Sequence, residues 1–289
     1  MSDRALSVVR AGALTTVQDR GRPGHAHLGV PRSGALDAPA AALVNRLVGN
    51  PPDAAVLETT LTGCALAPRS DVTVAVGGAP CRVTVGGRPA AWGAPVRVPA
   101  GAVLDVGPAI RGVRGYVAVA GGIVVEAVLG SRSTDLLSGL GPTPLTDGTV
   151  LPLGRERTPH ARVDVAPQPA PPAELVLRVT LGPRDDWFTP DALHAFTART
   201  FHVSSASNRI GLRTEGPVLE RALDGELASE GMVLGAVQVP PAGRPVVFLA
   251  DHPTTGGYPV IGVVRAADLS AAAQAAPGTP VRFVAVRRR

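Results

Sequence analysis

A mainly β protein with a few short helices is the fold class this chain predicts, and three observations carry it. Its 289 residues include 34 glycines and 29 prolines, which recur as turn signals between short apolar runs. Those runs are rich in Val and other β-branched residues, as strands require. Aromatic residues make up only 3%, so the core is expected to be built from Val, Ala and Leu. A chain of this length buries a sizeable core and accommodates two small β-rich domains. Many short strands between Gly/Pro turns indicate barrels or sandwiches and exclude a helical bundle.

In chain order, Leu6 to Thr16 reads as a first strand with a break at Gly12. Val17 to Gly24, His25, His27 and Ser33 to Asp37 then form an extended loop whose shape glycine and proline fix. Gln18, Asp19, Arg20 and Arg22 project hydrogen-bonding groups from it, and an arginine fork suits a carboxylate or phosphate. The equal alternative is that Asp19 pairs with one of these arginines to hold the loop. His25 and His27 have the spacing of ligands on one strand face, but no third ligand stands nearby, so no metal site is expected. Asp37 N-caps a helix running to Val48, which Gly49-Asn50-Pro51 ends. Leu43, Val44 and Leu47 give this helix an apolar stripe, and Asn45 is its one interior polar residue able to face a site. A β-rich region follows from Glu58 to Gly121, with turns at Gly77-Gly78, Gly86-Gly87, Pro99-Ala100-Gly101 and Gly107-Pro108. Glu58 is a lone acid in an apolar segment, so it is either paired with an arginine or functional. Gly121-Gly122-Ile123 and Leu129 to Thr134 place glycine beside hydroxyls and Arg132, a composition able to cradle an anion through backbone N–H groups.

The proline-rich stretch Arg155 to Glu174 reads as a linker or long crossover, which divides the chain into domains at 1–154 and 175–289. Leu175 to Leu181 is a strand. Thr189 caps a helix with Pro190 at its first position, running to about Ala198. Asn208 to Pro217 is a second polar loop, in which Arg209, Arg213 and Glu215 form either a salt-bridged brace or a substrate clamp. Met232 to Val239, Val246 to Ala250 and Val260 to Val264 then read as three strands. The first turn between them, Pro240 to Gly243, is simple. The second, Asp251 to Pro259, packs an acid, an imidazole, two hydroxyls and a phenol into nine residues and has the composition of a binding surface. A helix from Ala266 to Ala275 and a strand from Val281 to Val286 close the chain. There is an internal echo as well: Val98 to Gly101 precedes a strand, Tyr116 and Gly-Gly, and Val239 to Gly243 precedes a strand and Gly256-Gly257-Tyr258.

Composition removes several function classes. All 28 Lys+Arg residues are arginine. The chain therefore holds no P-loop lysine, no Schiff-base lysine and no biotinylated lysine. The formal net charge of +5 comes from scattered arginines with few aromatics for base stacking, which argues against nucleic acid as a partner. Cys64 and Cys81 sit in apolar, strand-like contexts and are expected to be reduced thiols. No apolar run is long enough to span a bilayer and the N-terminus lacks a signal core, so a cytoplasmic protein without membrane association is expected.

Several long, ordered motifs together resemble one family. They are LTTVQDRGRPGHAHLGVPRSGALD (Leu14 to Asp37), GYVAVAGGI (Gly115 to Ile123), VLGSRST (Val128 to Thr134), SASNRIGLRTEGPVL (Ser205 to Leu219), and Ser229 to Val264. The chain resembles the allophanate hydrolase subunit 2 family, also described as the 5-oxoprolinase C-subunit or biotin-dependent carboxyltransferase family, over nearly its whole length. The resemblance implies two tandem cyclophilin-like β-barrel domains. It also implies an enzyme component active only with partners, in an assembly that opens 5-oxoproline to glutamate with ATP. Those partners are a smaller, KipI-like and cyclophilin-like B component and a LamB/YcsF-type A component. Such a site needs cations, positioned donors and an acid or base. Asp19, Glu58, Glu215, Asp251 and His252 are the catalytic candidates. Gln18, Arg20, Arg22, Arg209, Arg213, Gln238, Thr254, Thr255 and Tyr258 are the substrate-binding ones. The same family implies two alternatives. One is carboxyl transfer from carboxybiotin on a separate carrier to urea or a related amide. The other is a KipA-type regulator that binds a kinase inhibitor and needs no catalytic residues.

Overall fold

Residues 4–156, 166–223, 225 and 227–287 are described by a computed structural model. Backbone contacts divide the chain into two units. The first comprises residues up to Arg22, Ser33–Asp135 and Gly139–Pro171. The second comprises Pro23–Arg32, Leu136–Ser138 and Pro172 onward. Of the expected linker, 157–165 lie outside the described residues. Its later part is docked on the first unit, where Ala166 N–H donates to Gly93 O at 2.9 Å and Gln168 Oε1 accepts from Gly78 N–H at 2.8 Å.

The first unit carries strands β1 (Ala5–Arg10), β2 (Thr15–Gln18), β3 (Val56–Thr60), β4 (Cys64–Pro68), β5 (Val72–Gly78) and β6 (Cys81–Val85). It continues with β7 (Arg88–Ala90), β8 (Pro95–Val98), β9 (Leu104–Ala109), β10 (Arg114–Val119) and β11 (Val150–Pro152), with helix α1 (Ala38–Leu47) after β2. They form two antiparallel sheets, in the orders β11-β1-β4-β9-β6-β7 and β2-β3-β10-β5-β8. The single strand expected from Leu6 to Thr16 is thus two strands in different sheets. Gly12 makes the switch: its φ is +73°, and a Cβ there would lie 2.0 Å from Gly63 O.

Strand β10 is buried at every position because both its faces are covered. Val117 and Val119 join Leu6, Val8, Leu66 and Val74 in the main core, while Tyr116 and Ala118 lie with Val44 and Leu47 of α1. The Asp37 carboxylate caps α1 by accepting from Ala40 N–H at 3.2 Å. Asn45 does not face a site. Its Nδ2 donates to Ala54 O at 2.7 Å and its Oδ1 accepts from Asn50, so it braces the turn after the helix.

The second unit holds β12 (Leu175–Leu181), α2 (Pro190–Ala198), β13 (Phe201–Val203), β14 (Gly211–Glu215), β15 (Glu230–Gly231) and β16 (Ala236–Gln238). After these come β17 (Val246–Phe248), β18 (Thr255–Gly256), β19 (Val260–Val264), α3 (Leu269–Ala273) and β20 (Pro280–Ala285). Seven of these strands close as a barrel, β12-β19-β16-β17-β14-β13-β20, and closure removes the exposed edges of an open sheet. The first unit, by strand order, remains two sheets, so the two expected barrels are not alike. Met232 to Val239 is not one strand either. Ala236 N–H turns back to Val233 O, and Met232 N–H goes to Thr254 O, which leaves only Ala236–Gln238 in the barrel wall.

The few aromatics are concentrated where composition alone did not place them. All five phenylalanines are buried in the second unit, and Phe196 of α2 stacks on Phe283 of β20 at 4.4 Å with Phe201 edge-on to both. Burying each ring contributes about 2–3 kcal/mol. His25 caps and His27 lies within a 3₁₀ turn over Ala26–Leu28, so neither is on a strand face. Among the described residues, no group of three or more His, Cys, Asp or Glu is placed to hold a metal ion. No helix of these residues is long and apolar enough to cross a membrane. Both cysteines are free thiols. Burial pushes Cys64 up to about 12 and Cys81 up to about 11, so neither is a thiolate nucleophile at neutral pH.

Candidate functional site

The polar loop after β2 is held by its own acid. Asp19 Oδ1 accepts from Gly21 N–H at 2.8 Å and from the hydroxyls of Ser131 and Ser133, both at 2.6 Å, while Oδ2 accepts from Arg132 N–H at 2.6 Å. Ser133 Oγ in turn accepts from Asp19 N–H at 3.0 Å. The hydroxyls and amides that suggested an anion cradle at Leu129 to Thr134 therefore hold an internal carboxylate. Asp19 thus holds its loop through hydroxyls and amides and not through an arginine side chain: it is a clasp joining two loops.

Beside the clasp lies a cavity of about 340 Å³, lined among others by Asp19, Arg20, Asn50, Asp53, Arg132 and Arg155. The Gly121-Gly122 turn with Ile123 and Val124 also lines it. Asn50 fixes this turn, since its Oδ1 accepts from Gly121 N–H at 2.9 Å and its Nδ2 donates to Val119 O at 2.8 Å. Gly121 has a φ of +92°, and a Cβ would meet Gly154 O at 2.3 Å, so only glycine fits there. Three arginines line this space. Arg20 is exposed and stands 3.7 Å from Asp53. Arg132 is half-buried and tied by Nε to Val125 O at 2.9 Å. Arg155 is exposed. Against these stand two carboxylates, one of them already saturated by the clasp.

The other candidates of the first unit are internal. Arg22 is fully buried, 3.9 Å from Asp135 and donating to the carbonyls of Val128 and Ser133. Gln18 is fully buried in β2 and its Nε2 donates to Thr16 Oγ1 and Thr134 O, each at 3.0 Å. Glu58 accepts from Leu36 N–H at 2.9 Å and from Tyr116 Oη at 2.8 Å. Tyr116 Oη accepts from Asp37 N–H at 2.8 Å, so Glu58 anchors the start of α1. Burial, with Glu58 beside it, pushes the Tyr116 phenol well above its ordinary value, so it stays protonated as a donor.

In the second unit the structure separates the remaining candidates. Arg209 and Asp251 form a fully buried bidentate pair, Nε–Oδ2 and Nη2–Oδ1 both at 2.9 Å. Asp251 also accepts from Leu136 N–H at 3.2 Å. Arg213 and Glu215 point outward from β14, so no clamp joins them to Arg209; Glu215 accepts from Ser204 Oγ at 2.7 Å. His252 is buried, stacks on Phe248, and donates from Nδ1 to Pro253 O at 2.7 Å. The Asp251–Pro259 loop is pinned by β15–β18 pairing, by Thr254 O accepting from Met232 N–H, and by Gln238 Nε2 donating to Tyr258 O at 3.1 Å. The Arg184 guanidinium pairs with Glu230 of β15 and holds that carboxyl below its ordinary range. Thr255 and Tyr258 are exposed, with Arg221 lying 5.9 Å over the Tyr258 ring. Tyr116 is buried and Tyr258 is not, so the internal echo does not make them equivalent.

Comparison with known proteins places this arrangement. Residues 28–285 match the family described as the carboxyltransferase domain, subdomains A and B. The chain belongs to that family. Among curated members, the C subunit of 5-oxoprolinase from Escherichia coli K12 is 39% identical over 286 residues, covering 96% of this chain and 90% of the relative. The urea amidolyase of Lachancea kluyveri is 34% identical over 315 residues, but the match covers 17% of that protein. Among solved structures, the protein TTHA0988 superposes with a TM-score of 0.88 at 39% identity, over 97% of this chain and 56% of that one. The urea amidolyase of K. lactis gives 0.90 at 32% identity, over 98% of this chain and 19% of that one. This carboxyltransferase-domain chain thus spans little more than half of the first solved relative and a fifth of the second.

Four lining residues of the cavity escaped the reading of the sequence as site residues. Asn50 looked like a helix stop and Arg155 like part of a linker. Arg132 stood within the Gly/Ser cluster but was overshadowed by its hydroxyls, and Asp53 carried no motif. The candidates Asp19 and Arg20 and the polar cluster beside Gly121-Gly122 were what pointed to this part of the chain.

Proposed function

We propose that this chain is the C component of an ATP-dependent 5-oxoprolinase, a lactam hydrolase that converts 5-oxo-L-proline to L-glutamate and works only with partner proteins. The observation that carries the reading is the near full-length match to a 5-oxoprolinase component of the same kind, at 90% of that relative, against 17% of a urea amidolyase. The partners are the KipI-like B component and the LamB/YcsF-type A component, in a cytoplasmic assembly. A lactam carbonyl is a poor electrophile, and ATP hydrolysis supplies the drive to open it. This chain's contribution is positional. Three arginines around a cavity suit an oxyanion, and the Asp19 clasp and Asn50 fix the loops that carry them. Carboxyl transfer from a carboxybiotin carrier is the second reading, favoured by the family description and by the urea amidolyase matches. With no lysine in the chain, the biotin of that reaction would have to come from another one.

The deciding experiment mixes this chain with its partner proteins and measures ATP-dependent glutamate release from 5-oxoproline, each component being omitted in turn. Activity that disappears whenever any one is left out is the expected result. A well-assembled complex that releases no glutamate, yet carboxylates urea from supplied carboxybiotin, would transfer the assignment to the second reading.

A further inference from the structure

The cavity of the first unit has a composition specific enough to name its ligand. Its lining contributes three positive side chains, Arg20, Arg132 and Arg155, and two negative ones, Asp19 and Asp53. Asp19 is turned to four neutral internal donors but keeps its charge, and among the described residues Asp53 faces the exposed Arg20 at a loose 3.7 Å. Three arginines against two carboxylates leave the lining one positive charge in excess, and Arg132 is its best-ordered carrier. Its backbone N–H is locked to Asp19 and its Nε to Val125 O, which fixes the guanidinium while its terminal nitrogens take no partner among the described residues. An arginine held in this way loses little freedom when it takes a two-oxygen anion.

The rest of the lining decides between anions. Pro51, Ala54, Ala55, Ile123 and Val124 supply a short aliphatic wall, and no aromatic residue is present among the described lining to stack an adenine ring. A volume of about 340 Å³ lies at the small end of ligand pockets. We infer that this cavity is the binding site for the carboxylate of a small aliphatic-ring acid, held by Arg132 with Arg20 and Arg155. The inference rests on the lactamase reading for the identity of that acid, 5-oxoproline, and assigns the nucleotide to another part of the assembly. Arg20 exchanges its Asp53 partner for the ligand.

Calorimetric titration of the full chain, without ATP or partner proteins, tests this. The titrants are 5-oxoproline, its uncharged carboxamide, inorganic phosphate and ADP. The expected result is that 5-oxoproline binds, the carboxamide binds about tenfold more weakly or less, and Arg132→Gln weakens 5-oxoproline binding by about tenfold while leaving the circular dichroism spectrum unchanged. Equal binding of acid and amide, tighter binding of phosphate or ADP, no binding of 5-oxoproline, or an indifferent Arg132→Gln variant would each overturn the inference. An inactive reconstituted assembly with carboxylate binding intact would sink the lactamase reading alone. An active assembly whose chain binds no carboxylate would sink this site alone.

Discussion

Replacing Asp251 by alanine is expected to destabilise the second unit by about 3–5 kcal/mol, because it leaves the Arg209 guanidinium fully buried without its carboxylate. The effect arises on folding, not on chemistry. Both side chains are completely inaccessible, and their two 2.9 Å hydrogen bonds tie the strand-leading segment before β14 to the start of the Asp251–Pro259 loop. Unfolding in guanidinium chloride followed by circular dichroism checks it, with the midpoint moving to lower denaturant. The double variant Arg209→Met with Asp251→Leu should recover most of the loss, since an apolar pair of similar volume removes the desolvation cost of both ions. A single-variant loss below about 1 kcal/mol would mean that the site rehydrates, as an exposed ion pair would.

Replacing Asp19 by alanine should be the most damaging change to function in the first unit. Four donors lose their acceptor at once, two hydroxyls and two amides, and the loop bearing Arg20 separates from the one bearing Arg132. Net hydrogen-bond energies of about 1 kcal/mol each put the stability loss at about 2–4 kcal/mol. Displacement of positioning groups by even an ångström lowers turnover on the order of a hundredfold. Asp19→Asn separates the two effects. Its single carbonyl can replace Oδ1 and keep three of the contacts, so glutamate release by the assembly should fall between those of the wild type and Asp19→Ala. Asn and Ala variants that lose activity equally would show that the negative charge, not the clasp, is what the site uses.

The regular framework was legible where a physical signal was local. Asp37 before an alanine-rich run, Pro190 after Thr189, and glycine pairs between Val-rich segments mark α1, α2 and the strands because caps and turns are decided within a few residues. The fate of polar side chains was not legible, because it depends on partners far along the chain. Arg20 and Arg22 are nearly adjacent and chemically identical, yet Arg22 is buried near Asp135 while Arg20 lines a cavity. Arg209 and Arg213 diverge in the same way, one sealed against Asp251 and one outward on β14. The density of hydroxyls at Ser131 and Ser133 was a true signal of anion recognition, but the anion is the protein's own Asp19. Closure of the second unit into a barrel had no local signal either, since the parallel pairing of β20 with β12 joins the two ends of that unit.

The most direct test of the account is the steady-state kinetics of the reconstituted assembly carrying Arg132→Gln, with glutamate release measured against 5-oxoproline concentration at saturating ATP. The account predicts a KM for 5-oxoproline raised about tenfold with kcat changed by less than about threefold, because Arg132 binds the non-reacting carboxylate of the substrate. An unchanged KM, in an assembly that still hydrolyses the lactam, would contradict it.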